Sequence, residues 1–112
     1  MIKAVNFTKK DEINSMSSTP LQKVKGETVH VLGAAITERP DEETGEAKKV
    51  GLLVTEEFGT LSTISGTAIK GLDMIIDYIT DLEGDESDEQ VHVHIKAAKA
   101  NSGREFITLE IV

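Results

Sequence analysis

The fold of this chain is decided by one stretch late in the sequence, Thr67–Leu82, which reads TAIKGLDMIIDYITDL. Its apolar side chains recur at helical spacing, at positions 69, 72, 76 and 79, with Ile75 beside them. Such a stripe is typical of an amphipathic helix that packs one face against a core. Most polar positions, including 70, 73, 77 and 81, lie off the stripe. We predict a helix over Thr67–Leu82, with Ser65 or Thr67 as its N-cap.

Before this helix, the pattern predicts three strands in an antiparallel meander, because β-branched residues are enriched there. We place these strands at Glu27–Glu38, Lys48–Glu56 and Thr60–Ser65. Small residues at positions 33–35 indicate a bend or bulge in the first strand. Arg39–Glu46 is predicted to be a polar hairpin loop, and residues 57–59 a turn.

After the helix, the sequence predicts a second hairpin. Val91–Ala97 alternates between apolar and polar residues, Asn101-Ser102-Gly103 makes a turn, and Arg104–Val112 is the last strand. The inward residues of that strand are expected to be Ile107, Leu109 and Ile111. Phe106 is offset from them by one position, so its ring should point away from the core.

The amino-terminal segment predicts shorter elements. Met1–Phe7 is consistent with a short edge strand. Thr8 is a candidate N-cap for a short helix over Lys9–Met16, whose first turn carries acids. Thr19 and Pro20 read as the N-cap and first residue of a helical turn that ends at Gly26.

The resulting order is three meandering strands, a helix and two further strands. This is the element order of a five-stranded antiparallel barrel of the OB type, whose helix lies between the third and fourth strands. An open α+β sandwich with the same hairpins is the alternative. We predict one mainly β domain over residues 1–112, with an amino-terminal extension at 1–18 and an acidic loop at 83–90.

The composition excludes several classes of protein. The chain of 112 residues contains no cysteine, so neither disulfides nor thiolate metal sites are available. It has no apolar segment typical of a signal peptide and none approaching the roughly 20 residues of a membrane span. We therefore expect a cytoplasmic protein.

The net charge of −8 is unevenly distributed. Residues 73–90 hold eight of the 20 acids and no Lys or Arg, and the other 12 acids equal the 12 Lys and Arg in number. Outside this segment, the domain is formally neutral, so a locally basic face is compatible with the composition.

No arrangement of residues predicts catalysis. The pair His92 and His94, with His30 as a third ligand, is the one metal-like pattern, but a structural zinc site takes about four ligands. We predict neither a metal site nor a cofactor. The nucleophile elbow and the glycine-rich phosphate loops are missing from the sequence. An enzyme, for example a hydrolase, is therefore not expected.

Nucleic-acid binding requires cations for phosphates and flat side chains for bases. In an OB barrel, the sheet face and the loops after the first and fourth strands form the binding groove. The candidate residues near these features are Arg39, Lys48, Lys49, Phe58, Lys96, Lys99, Arg104 and Phe106. Phe106 and Phe58 are the candidate stacking rings.

Four stretches together resemble the small single-stranded DNA-binding proteins of tailed phages. They are Thr19-Pro20-Leu21 with Gly26-Glu27-Thr28-Val29, then residues 41–46 (DEETGE), residues 59–65 (GTLSTIS) and residues 102–109 (SGREFITL). The resemblance covers roughly residues 17–112. It implies an OB-like protein that coats displaced single strands during phage DNA replication with little base preference. The chain departs from the bacterial binding proteins because it ends in an apolar strand and not in an acidic tail.

Two further expectations concern partners. Small OB binders often self-associate, so the last strand is a candidate edge for pairing with a second copy, and replication proteins are candidate partners. The alternative function is an acidic protein–protein interaction module that binds or inhibits a host factor through residues 73–90. Such a face would meet a basic partner.

Overall fold

A computed structural model of the chain describes residues 2–83 and 91–112, and within these ranges the fold is mainly β. The strands are β1 (Lys3–Val5), β2 (Thr19–Pro20), β3 (Thr28–Pro40), β4 (Ala47–Thr55), β5 (Gly59–Thr63), β6 (His92–Lys99) and β7 (Glu105–Ile111). The α-helices are α1 (Lys9–Asn14) and α2 (Gly66–Glu83), and 3-10 turns occupy Ser15–Ser17 and Leu21–Val24. The predicted mainly β class is confirmed, and the described part of the chain has more strands than the five expected.

The strands form one curled, half-barrel sheet in the order β2-β5-β4-β3-β6-β7, with β1 paired to β3. All pairings are antiparallel except the short one between β2 and β5. The predicted meander is therefore confirmed as β3-β4-β5. β3 reaches two further partners because β6 pairs with its first part and β1 with its second.

The main core lies between α2 and one face of the sheet. The predicted stripe is buried as expected, since Leu72 and Ile76 are each 1% exposed. Leu53 and Leu61 of adjacent strands face the helix within the same cluster. Because side chains alternate along a strand, Leu52 lies on the opposite face of β4. There it forms a second buried cluster with Ala35 and Val50, and Phe7 packs against it.

The first amino-terminal helix begins at its predicted cap. Thr8 caps α1, since its hydroxyl accepts from the Asp11 N–H while the Asp11 carboxylate accepts from the Thr8 N–H. This capping box satisfies two otherwise unpaired N–H groups of the helix start. The register of β3 and β4 shifts between Val31 and Gly33, which confirms the predicted bulge.

Several predictions about individual residues were wrong. Arg39 lies in β3 and not in the hairpin loop, because β3 stays paired with β4 as far as Pro40. Thr19 and Pro20 belong to β2, since they pair with β5, and the helical turn starts at Leu21. Ile111 was predicted to be an inward residue but is 40% exposed, because it lies at the end of β7, where the strand is less covered than at Ile107. Apart from Glu83, which ends α2, the predicted acidic loop lies outside the described residues.

Candidate nucleic-acid interface

A cleft of about 660 Å³ lies between the end of β5 and the start of β7. It is lined by Pro20, Leu21, Gln22, Val50, Ser62, Thr63, Ile64, Ser65, Thr67, Arg104, Glu105, Phe106 and Ile107. The lining combines apolar side chains, several hydroxyl groups, one guanidinium and one aromatic ring. Such a mixture can contact a flat apolar group and an anionic group at once.

The β6–β7 hairpin places Arg104 and Phe106 in this cleft. Gly103 adopts φ +82°, a left-handed conformation that closes the predicted turn at low cost for glycine. The Ala100 N–H donates to the Arg104 carbonyl oxygen at 2.9 Å and fixes where β7 begins. Phe106 then pairs with Ala98, while its neighbour Ile107 enters the core. The prediction that Phe106 avoids the core agrees with this placement.

Glu105 is the acidic residue of the cleft lining, and a lysine neutralises it. The Lys25 Nζ donates to the Glu105 Oε1 at 2.8 Å. This hydrogen bond lowers the pKa of Glu105 below its usual value, and the charge of Lys99 acts in the same direction. The carboxylate therefore stays ionised beside a cation, which reduces its repulsion of an anionic ligand.

The predicted cations and rings do not form a single patch. Lys96 and Lys99 lie in the same β6–β7 hairpin as Arg104 and Phe106. The Lys96 side chain is on the outer side of the hairpin, as is that of Phe106, and Lys99 is the strand partner of Glu105. Lys48 and Lys49 lie instead at the β3–β4 hairpin, and Phe58 lies in the β4–β5 turn. Lys48 is 3.7 Å from the Asp41 carboxylate.

Arg39 is held by the amino-terminal segment. Its Nη2 donates to the Ser15 Oγ at 2.7 Å, and Ser15 is only 1% exposed. One terminal nitrogen of Arg39, a predicted nucleic-acid contact, is thus already used by a hydroxyl of the same chain.

The sequence did not predict the wall of the cleft that faces Arg104 and Phe106. Pro20 and Gln22 reach it because β2 pairs with β5, and Ser65 and Thr67 reach it at the start of α2. No local pattern predicts the β2–β5 pairing, which joins Pro20 to Ser62. The only signal in the sequence is the cluster of hydroxyl residues at positions 62–67, whose pattern favours a strand end followed by a helix cap.

The histidines pair with one another and with polar neighbours. The rings of His30 and His92 stack with their centroids 5.1 Å apart. His30 Nδ1 lies 2.6 Å from the Glu56 carboxylate, and His94 Nδ1 lies 3.0 Å from the Thr28 hydroxyl. Among the described residues, no three His, Cys, Asp or Glu side chains are grouped so that they could hold a metal ion.

Two acids of the segment 73–90 contact one lysine. Lys3 Nζ lies 2.7 Å from Asp73 Oδ1 and 2.5 Å from Asp77 Oδ1. These contacts raise the pKa of Lys3 and tie β1 to α2. Part of the acidic face proposed for a basic partner is therefore already engaged.

Comparisons with known proteins give no family assignment. Family models, curated proteins and solved structures were all compared with the chain, and none matched. In the described ranges, no helix has both the length and the apolar character needed to cross a membrane.

Proposed function

We propose that this protein binds single-stranded DNA through the cleft between β5 and β7, with little sequence preference. The observation that carries the proposal is that Arg104 and Phe106, two of the residues predicted from sequence, line the same cleft. A guanidinium can hold a phosphate while an aromatic ring stacks on any base, since every base has a flat face. Hydroxyl groups on the opposite wall add hydrogen bonds without selecting a base.

Strand pairing supports an OB-type barrel as the scaffold. β3, β4 and β5 would be its first three strands, and β6 and β7 its last two, with α2 between the two groups. β3 pairs with both β4 and β6, which is the pairing of the first strand in that barrel. In this assignment β1 and β2 are additions, and the cleft lies beside the loop before the last strand, where OB barrels bind oligonucleotides.

A role in phage-type DNA replication extends this proposal and rests on the sequence resemblance. The protein would protect displaced strands and act without catalysis. Self-association and contacts with replication proteins belong to the same proposal, as does a location in the host cytoplasm. The rival function, an acidic module for a host factor, gains no specific support from the contacts of Asp73 and Asp77.

Fluorescence anisotropy with labelled oligo-dT at low salt tests the proposal. We expect Phe106→Ala to weaken binding by roughly 5- to 150-fold, since stacking contributes about 1–3 kcal/mol per base. Phe58→Ala is the matched control, because Phe58 is exposed but lies outside the cleft.

Arg104→Ala should lower the slope of log K against log salt by about 0.7, the value for one phosphate contact on a single strand. Lys70→Ala, on the exposed side of α2, should leave that slope unchanged.

Two results would contradict the proposal. One is no binding by the wild-type protein at tens of micromolar in low salt. The other is an equal loss of affinity in Phe106→Ala and Phe58→Ala, which would remove the cleft from the binding surface.

A further inference from the structure

The cleft is too small to hold the whole of a bound strand. Its volume of about 660 Å³ falls within the range of small-molecule pockets, about 300–1,000 Å³. OB folds contact about 4–16 nucleotides of a single strand. If the proposed function is correct, a longer strand must therefore continue over a second surface that adjoins the cleft.

Val50 identifies that second surface. It lines the cleft and also belongs to the cluster of Ala35, Val50 and Leu52 on the sheet face opposite α2. The surface continuous with the cleft is thus the outer face of β3 and β4. Arg39 lies on β3 beyond Ala35 and extends the same region.

Residues 6–18, called the strap here, cover this face. At one end the chain leaves β1, which is paired with β3, and at the other end it enters β2, which is paired with β5. Between these anchors, Phe7 packs on the apolar cluster and the Ser15 hydroxyl accepts from Arg39. The strap therefore crosses the sheet from the edge of β3 to the edge of β5.

Apart from Phe7 and Ser15, most of the strap is exposed. None of the six residues of α1 is buried, and Ile13 and Met16 are 66% and 83% exposed. Segments with few buried contacts open at a low free energy compared with global unfolding. The strap can therefore open while the main core stays folded.

The two groups that the strap inserts make the kinds of contact that a nucleotide can also make. The Phe7 ring lies on an apolar surface, which a flat base could also cover, and the Ser15 oxygen lies on the Arg39 guanidinium, which a phosphate could also contact. We infer that the strap occupies a second nucleotide-binding surface and that a long single strand displaces it. The inference rests on the proposed function and adds autoinhibition of the same site.

If a long strand displaces the strap, weakening the strap should change the affinity for long oligonucleotides and not for short ones. The apparent affinity for a long strand equals the affinity of the open form multiplied by the fraction of molecules whose strap is open. Phe7→Ala removes the aromatic anchor and so raises the open fraction; it should increase the affinity for labelled dT20 by about tenfold or more, a lower bound because Phe7 is only partly buried. We expect labelled dT3 to contact the cleft alone, so it should bind equally to both proteins. Met16→Ala is the matched control, because this exposed strap residue should leave both affinities unchanged.

A second variant provides a readout that does not depend on a gain of affinity. The chain contains no tryptophan, so Phe7→Trp places a single indole in the strap. Saturating dT20 should shift its emission to the red and increase its quenching by acrylamide, whereas dT3 should do neither.

The outcomes separate the two proposals. If the wild type binds dT20 and Phe7→Ala binds it no more tightly, or if the indole emission does not respond to dT20, the strap inference is overturned and the proposed function stands. If neither the wild type nor Phe7→Ala binds either oligonucleotide, the proposed function fails and the inference fails with it.

Discussion

At the scale of single residues, Gly33 sets the closest approach between the amino-terminal segment and the sheet. A Cβ atom at this position would overlap the backbone carbonyl of Asn6. Asn6 itself adopts φ +48°, a left-handed conformation that asparagine tolerates better than most residues. The chain turns off β1 at this point and enters the strap, so the bulge in β3 and the turn at Asn6 depend on each other.

We predict that Gly33→Ala lowers the free energy of unfolding by about 1–3 kcal/mol, the usual cost of forcing atoms into a packed site. The neighbour is backbone and cannot rotate away, so β1 must shift. Thermal unfolding followed by circular dichroism measures the loss. Gly66→Ala is the control, because Gly66 is the first residue of α2 and a Cβ atom there would meet nothing within 4 Å. Equal melting temperatures for the wild type and Gly33→Ala would contradict the predicted close contact.

At the scale of elements, the β3–β4 hairpin depends on one carboxylate. The Asp41 Oδ1 accepts from the Glu43 N–H at 2.8 Å and from the Thr44 N–H at 3.4 Å. These two hydrogen bonds lower the pKa of Asp41 below its ordinary 3.8, and Lys48 adds to the effect. A depressed carboxyl pKa stabilises the folded state above the unfolded-state pKa, and this contribution disappears as the pH falls through the folded-state pKa.

Asp41→Asn should therefore melt at a lower temperature than the wild type at pH 7. The difference should shrink as the pH falls below 3.8, because the wild-type carboxylate is then protonated as well. Thermal melts from pH 7 to pH 2 measure it. Glu42→Gln removes the same charge from the same loop and is the matched control. A difference that persists unchanged at pH 2 would show that the charge of Asp41 is not the cause.

At the scale of the whole molecule, α2 packs against most strands of the sheet and so links them through one core. Its buried face packs in one cluster with residues of β1, β3, β4, β5, β6 and β7. A methyl group of Leu72 lies close to the position that a Cβ on Gly51 would take, so this glycine allows the helix to approach β4. A domain of this size with one shared core is expected to unfold in a single transition.

Leu72→Ala should reduce the free energy of unfolding by about 2–5 kcal/mol, because it leaves a cavity in the shared core. Urea unfolding followed by circular dichroism and by Tyr78 fluorescence should show coincident transitions at a lower midpoint. Met74→Ala, 72% exposed on the same helix, should change stability by no more than about 0.5 kcal/mol. Separate transitions for the two probes would contradict a single core.

The sequence by itself determined the features that arise from neighbouring residues. The apolar spacing of 67–82 predicted α2, and Thr8 with the acids that follow predicted the start of α1. Alternation predicted β6, small residues at positions 33–35 predicted the bulge, and Asn101-Ser102-Gly103 predicted the last turn. Each depends on contacts within a few positions, so the local pattern carries the whole signal.

Only the tertiary structure decided which of these elements meet. Arg39 and Phe106 appeared equivalent as candidate contacts in the sequence, yet Ser15 binds the first and the cleft exposes the second. The strap depends on the pairing of Pro20 with Ser62, and the neutralisation of the Glu105 carboxylate in the cleft depends on Lys25. These partners are far apart along the chain, and their meeting follows from the curl of the sheet and the burial of its two faces. Neither of these properties is encoded by the spacing of neighbouring residues.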